Sequence, residues 1–198
     1  TKTSRTKTSH NKKPWHEMYY QDLSFYRTGG RNGTFEVYPY AKNIGWLGRE
    51  EAYSRGQLPG ELVQKLKELV YLDVKNQDDM KASTFNKSEA VIVDQMLIRG
   101  SAYACPFSGT EVVSLRPEEV ECYSVDRIKV LGINEICIPS HKTNVVYCCP
   151  TLICHYVEEH GYLPPEEFVD ALSAFDMTKA YDCNEESAFD YCVDVPSE

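Results

Sequence analysis

Residues 150–168 read PTLICHYVEEHGYLPPEEF, and this stretch predicts two short helices with a sharp turn between them. Proline at the start of each helix, and glycine just past the end of the first, match the usual asymmetry of helix ends. The two glutamates after Pro165 favour the positive N-terminus of the second helix. We therefore expect Gly161 to end the first helix with positive φ, and the pair to pack on the strands that precede it.

Upstream of this stretch, short β-rich runs surround one amphipathic helix. Apolar side chains at helical spacing predict a helix over residues 59–71, and the polar residues 73–88 predict a surface loop. Residues 89–104 fit either a strand or a short helix. Strands are predicted at residues 19–26, 34–40, 112–115, 128–131, 133–138 and 145–149. The whole pattern predicts an α+β fold, a small and mainly antiparallel sheet with about three helices packed on it.

Two hairpins follow from these runs. The first joins residues 19–26 to 34–40 through a glycine-rich loop that contains Asn32-Gly33, a common hairpin turn. The second joins residues 133–138 to 145–149 and places His141 at the tip of its loop.

Charge divides the chain into three parts. Residues 1–16 carry five basic side chains and no acid, which predicts a basic disordered tail. The remaining chain holds 16 basic and 30 acidic side chains, a charge of −14, so we expect no nucleic-acid binding by the body. Residues 17–175 are predicted to form a single α+β domain, followed by an acidic segment over residues 176–198.

The eight cysteines bear on whether the protein is secreted or cytoplasmic. An even number of cysteines suits a disulfide framework in a secreted protein, but the chain shows no apolar leader. No apolar run approaches the roughly 18 residues that a membrane span needs. We therefore expect a cytoplasmic protein with reduced thiols and no membrane association.

One constellation has the outline of a zinc site. Residues 105–108 read Cys-Pro-Phe-Ser, and His155 and His160 follow about fifty residues later on a predicted helix. A zinc knuckle has a second cysteine where this chain has Ser108, and a neutral hydroxyl is a poor zinc ligand. Five residues rotate an ideal helix by about 500°, which leaves the two histidines about 140° apart. The favoured interpretation is a partly buried, hydrogen-bonded His155 with His160 near the helix C-terminus, and a metal site at Cys105, His155 and His160 is the alternative.

Nucleophilic catalysis has weaker support. Cys154 and His155 are neighbours, but consecutive residues on a helix point about 100° apart and do not face each other. The chain contains no Gly-x-Ser-x-Gly elbow, phosphate loop or dinucleotide fingerprint. We therefore predict a buried thiol at Cys154 and no catalytic residue, which favours a protein that is not an enzyme.

Three motifs resemble those of a known family. They are Asn-Ile-Gly-Trp-Leu at residues 43–47, Cys-Pro-Phe at residues 105–107, and the stretch 150–168. The family is an uncharacterised group of small soluble, mostly bacterial proteins catalogued as a domain of unknown function, and the resemblance covers residues 19–172. Members tend to have a second cysteine in the knuckle and a residue other than cysteine at the place of Cys154, so this chain departs from the pattern at Ser108. The resemblance implies a compact domain and supplies no activity.

Two functional hypotheses remain. The first is a non-enzymatic protein-binding domain of the immunity or antitoxin kind, without a cofactor, which blocks a basic protein partner. The second is a zinc-binding protein or a metal-dependent enzyme that uses Cys105, His155 and His160. Either way, a candidate junction for a ligand or partner is formed by His155, His160, Tyr162 and Trp46.

The protein-binding hypothesis makes an electrostatic prediction. At low salt the purified chain should retain a basic partner, and a variant with neutralised surface acids should retain much less, because opposite charge is the proposed attraction. Affinity capture followed by mass spectrometry measures both. Recovery of no partner, or equal recovery by the two forms, would contradict the hypothesis.

Overall fold

A computed structural model describes residues 19–29, 34–79, 92–94, 103–109, 111–120, 128–178 and 193–196. This part of the chain contains three α-helices: α1 (Gly60–Asp79), α2 (Ile153–His160) and α3 (Glu166–Ala174). Its strands are β1 (Phe25–Gly29), β2 (Thr34–Asn43), β3 (Ile92–Asp94), β4 (Ser114–Leu115), β5 (Lys129–Val130), β6 (Asn134–Pro139), β7 (Val146–Pro150) and β8 (Val193–Pro196). The predicted α+β class is confirmed.

Six of these strands form one mixed sheet. Its order is β1-β2-β7-β6-β3, and β8 pairs with the first half of β2. The β2–β7 pairing is parallel, whereas the other pairings described in this sheet are antiparallel. Strands β4 and β5 form a separate two-stranded sheet.

Both predicted hairpins are present, with shifted ends. β1 pairs antiparallel with β2, but it begins at Phe25 and not at residue 19, and a bulge lies between Phe25 and Tyr26. The predicted Asn32-Gly33 turn lies outside the described residues. β6 and β7 form the second hairpin, and His141 is exposed in its loop.

The β6–β7 hairpin forms the centre of the core. Every residue of β7 is buried, and so is every residue of β6 except Pro139. Strands buried on both faces read as continuous apolar runs, which fits β7 and residues 136–138 of β6, whereas Asn134 and Glu135 at the start of β6 are buried polar residues. Helix α1 packs against α2 and α3, and an ion pair between Lys67 Nζ and Glu158 Oε1 at 2.6 Å joins α1 to α2.

Helix α1 is longer than its apolar pattern predicted. The prediction ended the helix at residue 71 and placed a loop over residues 73–88, and this is wrong for residues 73–79, which continue the helix to Asp79. No glycine or proline interrupts this polar extension, so nothing in its backbone chemistry stops the helix. Residues 92–94 of the ambiguous segment 89–104 are strand β3.

The turn between α2 and α3 has the predicted form. Gly161 follows α2 with φ 61° and ψ 30°, and Tyr162 N donates to Tyr156 O at 3.0 Å. Helix α2 begins at Ile153 and not at Pro150, because Pro150 is still paired with Glu135 at the end of β7. The prediction of two helices joined by a left-handed glycine is confirmed.

The two ends of the chain bear on the predicted domain limits. Residues 1–16, the predicted basic tail, lie outside the described residues. Within the predicted acidic segment, residues 193–196 form strand β8 of the main sheet. Among the described residues, no helix is both long enough and apolar enough to cross a membrane.

The Gly161 turn yields a stability prediction. A Cβ at this position would have room, since its nearest neighbour is Gly56 O at 4.0 Å, so the cost of substitution comes from the positive φ. We expect Gly161→Ala to lower the free energy of unfolding by about 1 kcal/mol, and Gly161→Val by about 2 kcal/mol or more. Urea unfolding measures both.

Gly60→Ala is the matched control, because Gly60 begins α1 with open space around it. We expect it to change stability by less than about 0.5 kcal/mol. Equal losses at the two glycines would contradict a specific role for the left-handed turn.

Candidate metal centre

Three side chains from two distant segments converge on one point. Cys105 Sγ lies 3.5 Å from His160 Nε2, and His160 Nε2 lies 3.2 Å from His155 Nε2. All three ligand atoms lie within 4.8 Å of one another. Cys105 is only 2% exposed and both histidines are partly buried. We call these three residues the Cys–His–His cluster.

Cys105 belongs to a turn over residues 105–108, which we call the knuckle turn. The chain before it is held by Tyr103, whose N donates to Gly132 O at 2.7 Å and whose hydroxyl donates to Leu47 O. Within the turn, the carbonyl of Pro106 accepts a hydrogen bond from Arg49 Nε at 3.0 Å. These bonds fix the Cys105 thiol against the exposed side of α2.

His160 is fixed by its backbone and by its ring. Its carbonyl accepts hydrogen bonds from Tyr53 Oη at 3.2 Å and from Arg55 Nη1 at 3.5 Å. The Phe107 ring of the knuckle turn packs on the His160 ring with centroids 4.7 Å apart. The His155 ring stands nearly perpendicular to the His160 ring, at 85° and 4.9 Å between centroids.

Ser108 stands beside the cluster. Its Oγ lies 3.3 Å from His155 Nε2. The sequence predicted that Ser108 occupies the second cysteine position of a zinc knuckle, and the structure places its hydroxyl next to the ligand atoms.

The environment keeps both imidazoles neutral near pH 7. Burial lowers the pKa of His155, and the neighbouring His160 lowers this pKa further, while Glu159 opposes the shift. Burial also lowers the pKa of His160, where Glu159 raises it and Arg55 lowers it. A neutral imidazole is the form that binds a metal ion.

The contacts within the cluster exceed what its protons can satisfy. Each Nε2 has a single in-plane position, which holds either a proton or a lone pair. His160 Nε2 is close to Cys105 Sγ and to His155 Nε2, and His155 Nε2 is also close to Ser108 Oγ. If each histidine bonds its outer neighbour, the two Nε2 atoms face each other at 3.2 Å without a proton between them. One cation between the three atoms would accept both lone pairs and the sulfur.

The histidine geometry confirms one part of the prediction and departs from another. His155 is partly buried and His160 is the last residue of α2, as the favoured interpretation expected. The angle of about 140° describes Cα positions on an ideal helix, whereas Nε2 lies at the end of a side chain with two rotatable bonds. The rings therefore meet although the backbone positions diverge.

Trp46 and Tyr162, the other residues of the predicted junction, lie in the core, where both are 0% exposed. Trp46 Nε1 donates to Cys148 O at 3.1 Å, and Tyr162 Oη donates to Asp22 Oδ2 at 2.9 Å. The Tyr53 ring packs on Tyr162 with centroids 6.1 Å apart and so connects it indirectly to the cluster. Both residues are fully buried and present no surface to a ligand.

Cys154 has the surroundings of a core thiol. It is 1% exposed, and its Sγ donates to Thr151 O at 3.3 Å. Burial raises its pKa to about 12, so the thiolate form is scarce near neutral pH. The predicted assignment of Cys154 as a buried thiol is confirmed.

Sequence analysis missed three residues of the site. Tyr53 and Arg55 hold the backbone of His160, and Phe107 covers its ring. Tyr53 and Arg55 lie more than 100 positions from His160. No local pattern links positions so far apart, because the contact is made only by the folded chain.

A family model described as "Domain of unknown function (DUF7919)" matches residues 18–173. No curated protein and no solved structure matches the chain. The match spans the sheet centre, the three helices and the whole Cys–His–His cluster. It confirms that the chain belongs to an uncharacterised family, whereas the three motifs and the bacterial distribution of that family stay predictions.

The core thiols yield a prediction on reactivity. Cys149 is 0% exposed and burial raises its pKa well above the ordinary value, as it does for Cys154. We expect iodoacetamide to leave both unlabelled in the folded protein and to label both in urea. Peptide mapping by mass spectrometry measures the labelling. Rapid labelling of Cys154 in the folded protein would contradict its assignment as a core thiol.

Proposed function

We propose that this chain, which belongs to the family described as a domain of unknown function (DUF7919), binds one zinc ion. The ligands are Cys105, His155 and His160. The observation that carries the proposal is the convergence of their three donor atoms within 4.8 Å.

The distances between donor atoms support this assignment. Zinc lies about 2.0–2.1 Å from imidazole nitrogen and about 2.3 Å from thiolate sulfur. In a tetrahedron these lengths separate two nitrogens by about 3.3 Å, and nitrogen from sulfur by about 3.6 Å. The cluster has 3.2 Å between its two nitrogens and 3.5 Å between sulfur and nitrogen. The third pair, Cys105 Sγ and the His155 ring nitrogen, is only bounded to within 4.8 Å, so these two donor atoms must approach to about 3.6 Å before an ion can bind all three.

The chemistry of the donors favours zinc over hard cations. Thiolate and imidazole suit zinc and copper, whereas calcium and magnesium prefer oxygen. Two histidines and one cysteine also occur in blue-copper sites, which add a distant axial sulfur. Here the next group is the hydroxyl of Ser108, which lies 3.3 Å from His155 Nε2. This difference favours zinc.

A bound ion would join two parts of the fold. Cys105 lies in the knuckle turn, and the two histidines lie on α2, about fifty positions further along the chain. Binding that occurs only in the folded chain adds its free energy to the stability of the fold. The proposed ion therefore stabilises the packing of the knuckle turn on α2.

The protein-binding hypothesis stays a prediction. Its motive is the acidic charge of the body, and a zinc site of this kind is compatible with such a role. Zinc binding is preferred because it explains a specific arrangement of atoms.

Metal content is the direct prediction. Purified protein should contain about one zinc per chain, and Cys105→Ala or His155→Ala should lose it, because each removes one of three ligands. Elemental analysis measures the content. A strong chelator should lower the melting temperature of the wild type by about 5–10 °C, if zinc is present at about a hundred times its dissociation constant.

Two control variants test the assignment. His141→Ala removes an exposed histidine of the β6–β7 loop, and Cys154→Ala removes a thiol of α2 that points to Thr151 O. Both should keep the metal. Copper in place of zinc, or a metal-free protein whose melting does not respond to chelator or added zinc, would contradict the proposal.

A further inference from the structure

We infer that the zinc ion keeps an open fourth position that binds an exchangeable anion, so that the site is reactive and not a closed structural clamp. This inference rests on the proposed function. It deepens that proposal by naming the class of ligand, small monodentate anions, that the site would take.

The number of protein donors is the first argument. Closed structural zinc sites have four protein ligands, whereas sites that bind water or substrate have three. Among the described residues, the metal-binding group consists of Cys105, His155 and His160. Ser108 lies beside these donors, with its Oγ 3.3 Å from His155 Nε2. A neutral hydroxyl is a weak zinc ligand, but it can donate a hydrogen bond to a ligand already bound there.

Charge selects the kind of ligand. Zinc with a single thiolate and two neutral imidazoles keeps one net positive charge. The Arg55 guanidinium lies close by, since it donates to His160 O at 3.5 Å, and the exposed carboxylate of Glu159 offsets that charge. The ion and its three ligands therefore keep one positive charge. An anion such as hydroxide neutralises this charge better than a neutral molecule does.

The side chains around the site limit the size of the ligand that can bind. The Phe107 ring packs on His160 at 4.7 Å and on Tyr53 at 5.7 Å between centroids, so one side is closed by aromatic carbon. His155, His160 and Ser108 are all partly exposed, which leaves access from the other side. Such a position suits water, hydroxide, azide, thiocyanate or the carboxylate of a larger molecule. Water activation and polarisation of a bound carbonyl are the reactions that an open zinc position supports.

Cobalt substitution tests the inference. Co²⁺ replaces zinc in tetrahedral sites and has visible absorption bands that respond to a change of ligand. Addition of azide to the cobalt protein should shift these bands in a saturable manner. Thiocyanate should compete for the same position, because both anions would occupy one vertex.

Ser108→Cys is the decisive variant, since it restores a Cys-x-x-Cys knuckle and should fill the fourth position with a thiolate. It should bind Co²⁺ with stronger sulfur-to-metal charge transfer, and its azide response should fall by at least about tenfold, because thiolate is the stronger ligand. Ser108→Ala should retain a saturable azide response, with a weaker azide affinity because it lacks the hydroxyl that donates to the bound ligand, and this variant preserves the test if Ser108→Cys does not fold.

The outcomes separate the two proposals. A wild-type protein that binds neither zinc nor cobalt overturns the zinc site itself. If the wild-type protein binds cobalt and azide leaves its absorption bands unchanged, the open position is overturned and the zinc site is not. X-ray absorption that finds a fourth protein ligand on the zinc of the wild type would have the same effect, whereas three protein donors with one exchangeable light atom support the inference.

Discussion

The left-handed turn at Gly161 fixes the position of His160, because it makes His160 the last residue of α2. The same turn brings Gly161 O to Gly56 N at 3.0 Å, and Leu163 N to Ser54 O at 2.9 Å. The segment that carries Tyr53 and Arg55 is thereby held against the end of α2. These two backbone hydrogen bonds therefore keep Tyr53 and Arg55 within reach of the His160 carbonyl. The position of His160 in the cluster thus depends on one backbone conformation that glycine adopts without strain.

Local signals explain why much of the fold could be predicted. The proline and glycine residues around α2 and α3 act through their own backbone limits, so their effect is visible in sequence. The β6–β7 hairpin was visible for a similar reason, since its apolar strands are separated by polar turn residues. The errors occurred where a local signal was missing. The polar end of α1 lacks an apolar stripe, and β8 lies in an acidic segment whose pairing with β2 depends on residues far away in the chain.

At the site, the sequence predicted which residues take part but not how close they lie. Residue types and spacing were sufficient to single out Cys105, His155 and His160, because thiols and imidazoles are the side chains that bind zinc. Spacing alone argued against their convergence, since it describes an ideal helix and omits the reach of the imidazole side chains. The knuckle turn also had to be brought to α2 by Tyr103, Pro106 and Arg49, and these contacts are tertiary. The residue types of the candidate ligands are thus visible in the sequence, whereas the distances between them are a property of the fold.

The position of β2 in the sheet bears on how the protein is made. Residues 41–43 of β2 pair with residues 146–148, and residues 34–37 pair with residues 193–196. A nascent chain therefore presents β2 with only its β1 hairpin partner until residues 146–148 have left the ribosome. Non-local pairing of this kind slows folding and prolongs the exposure of strand edges. We expect the sheet to close only after these residues have emerged, and the proposed zinc ion to bind only once the sheet has closed, an order that hydrogen-exchange labelling of ribosome-bound chains can resolve.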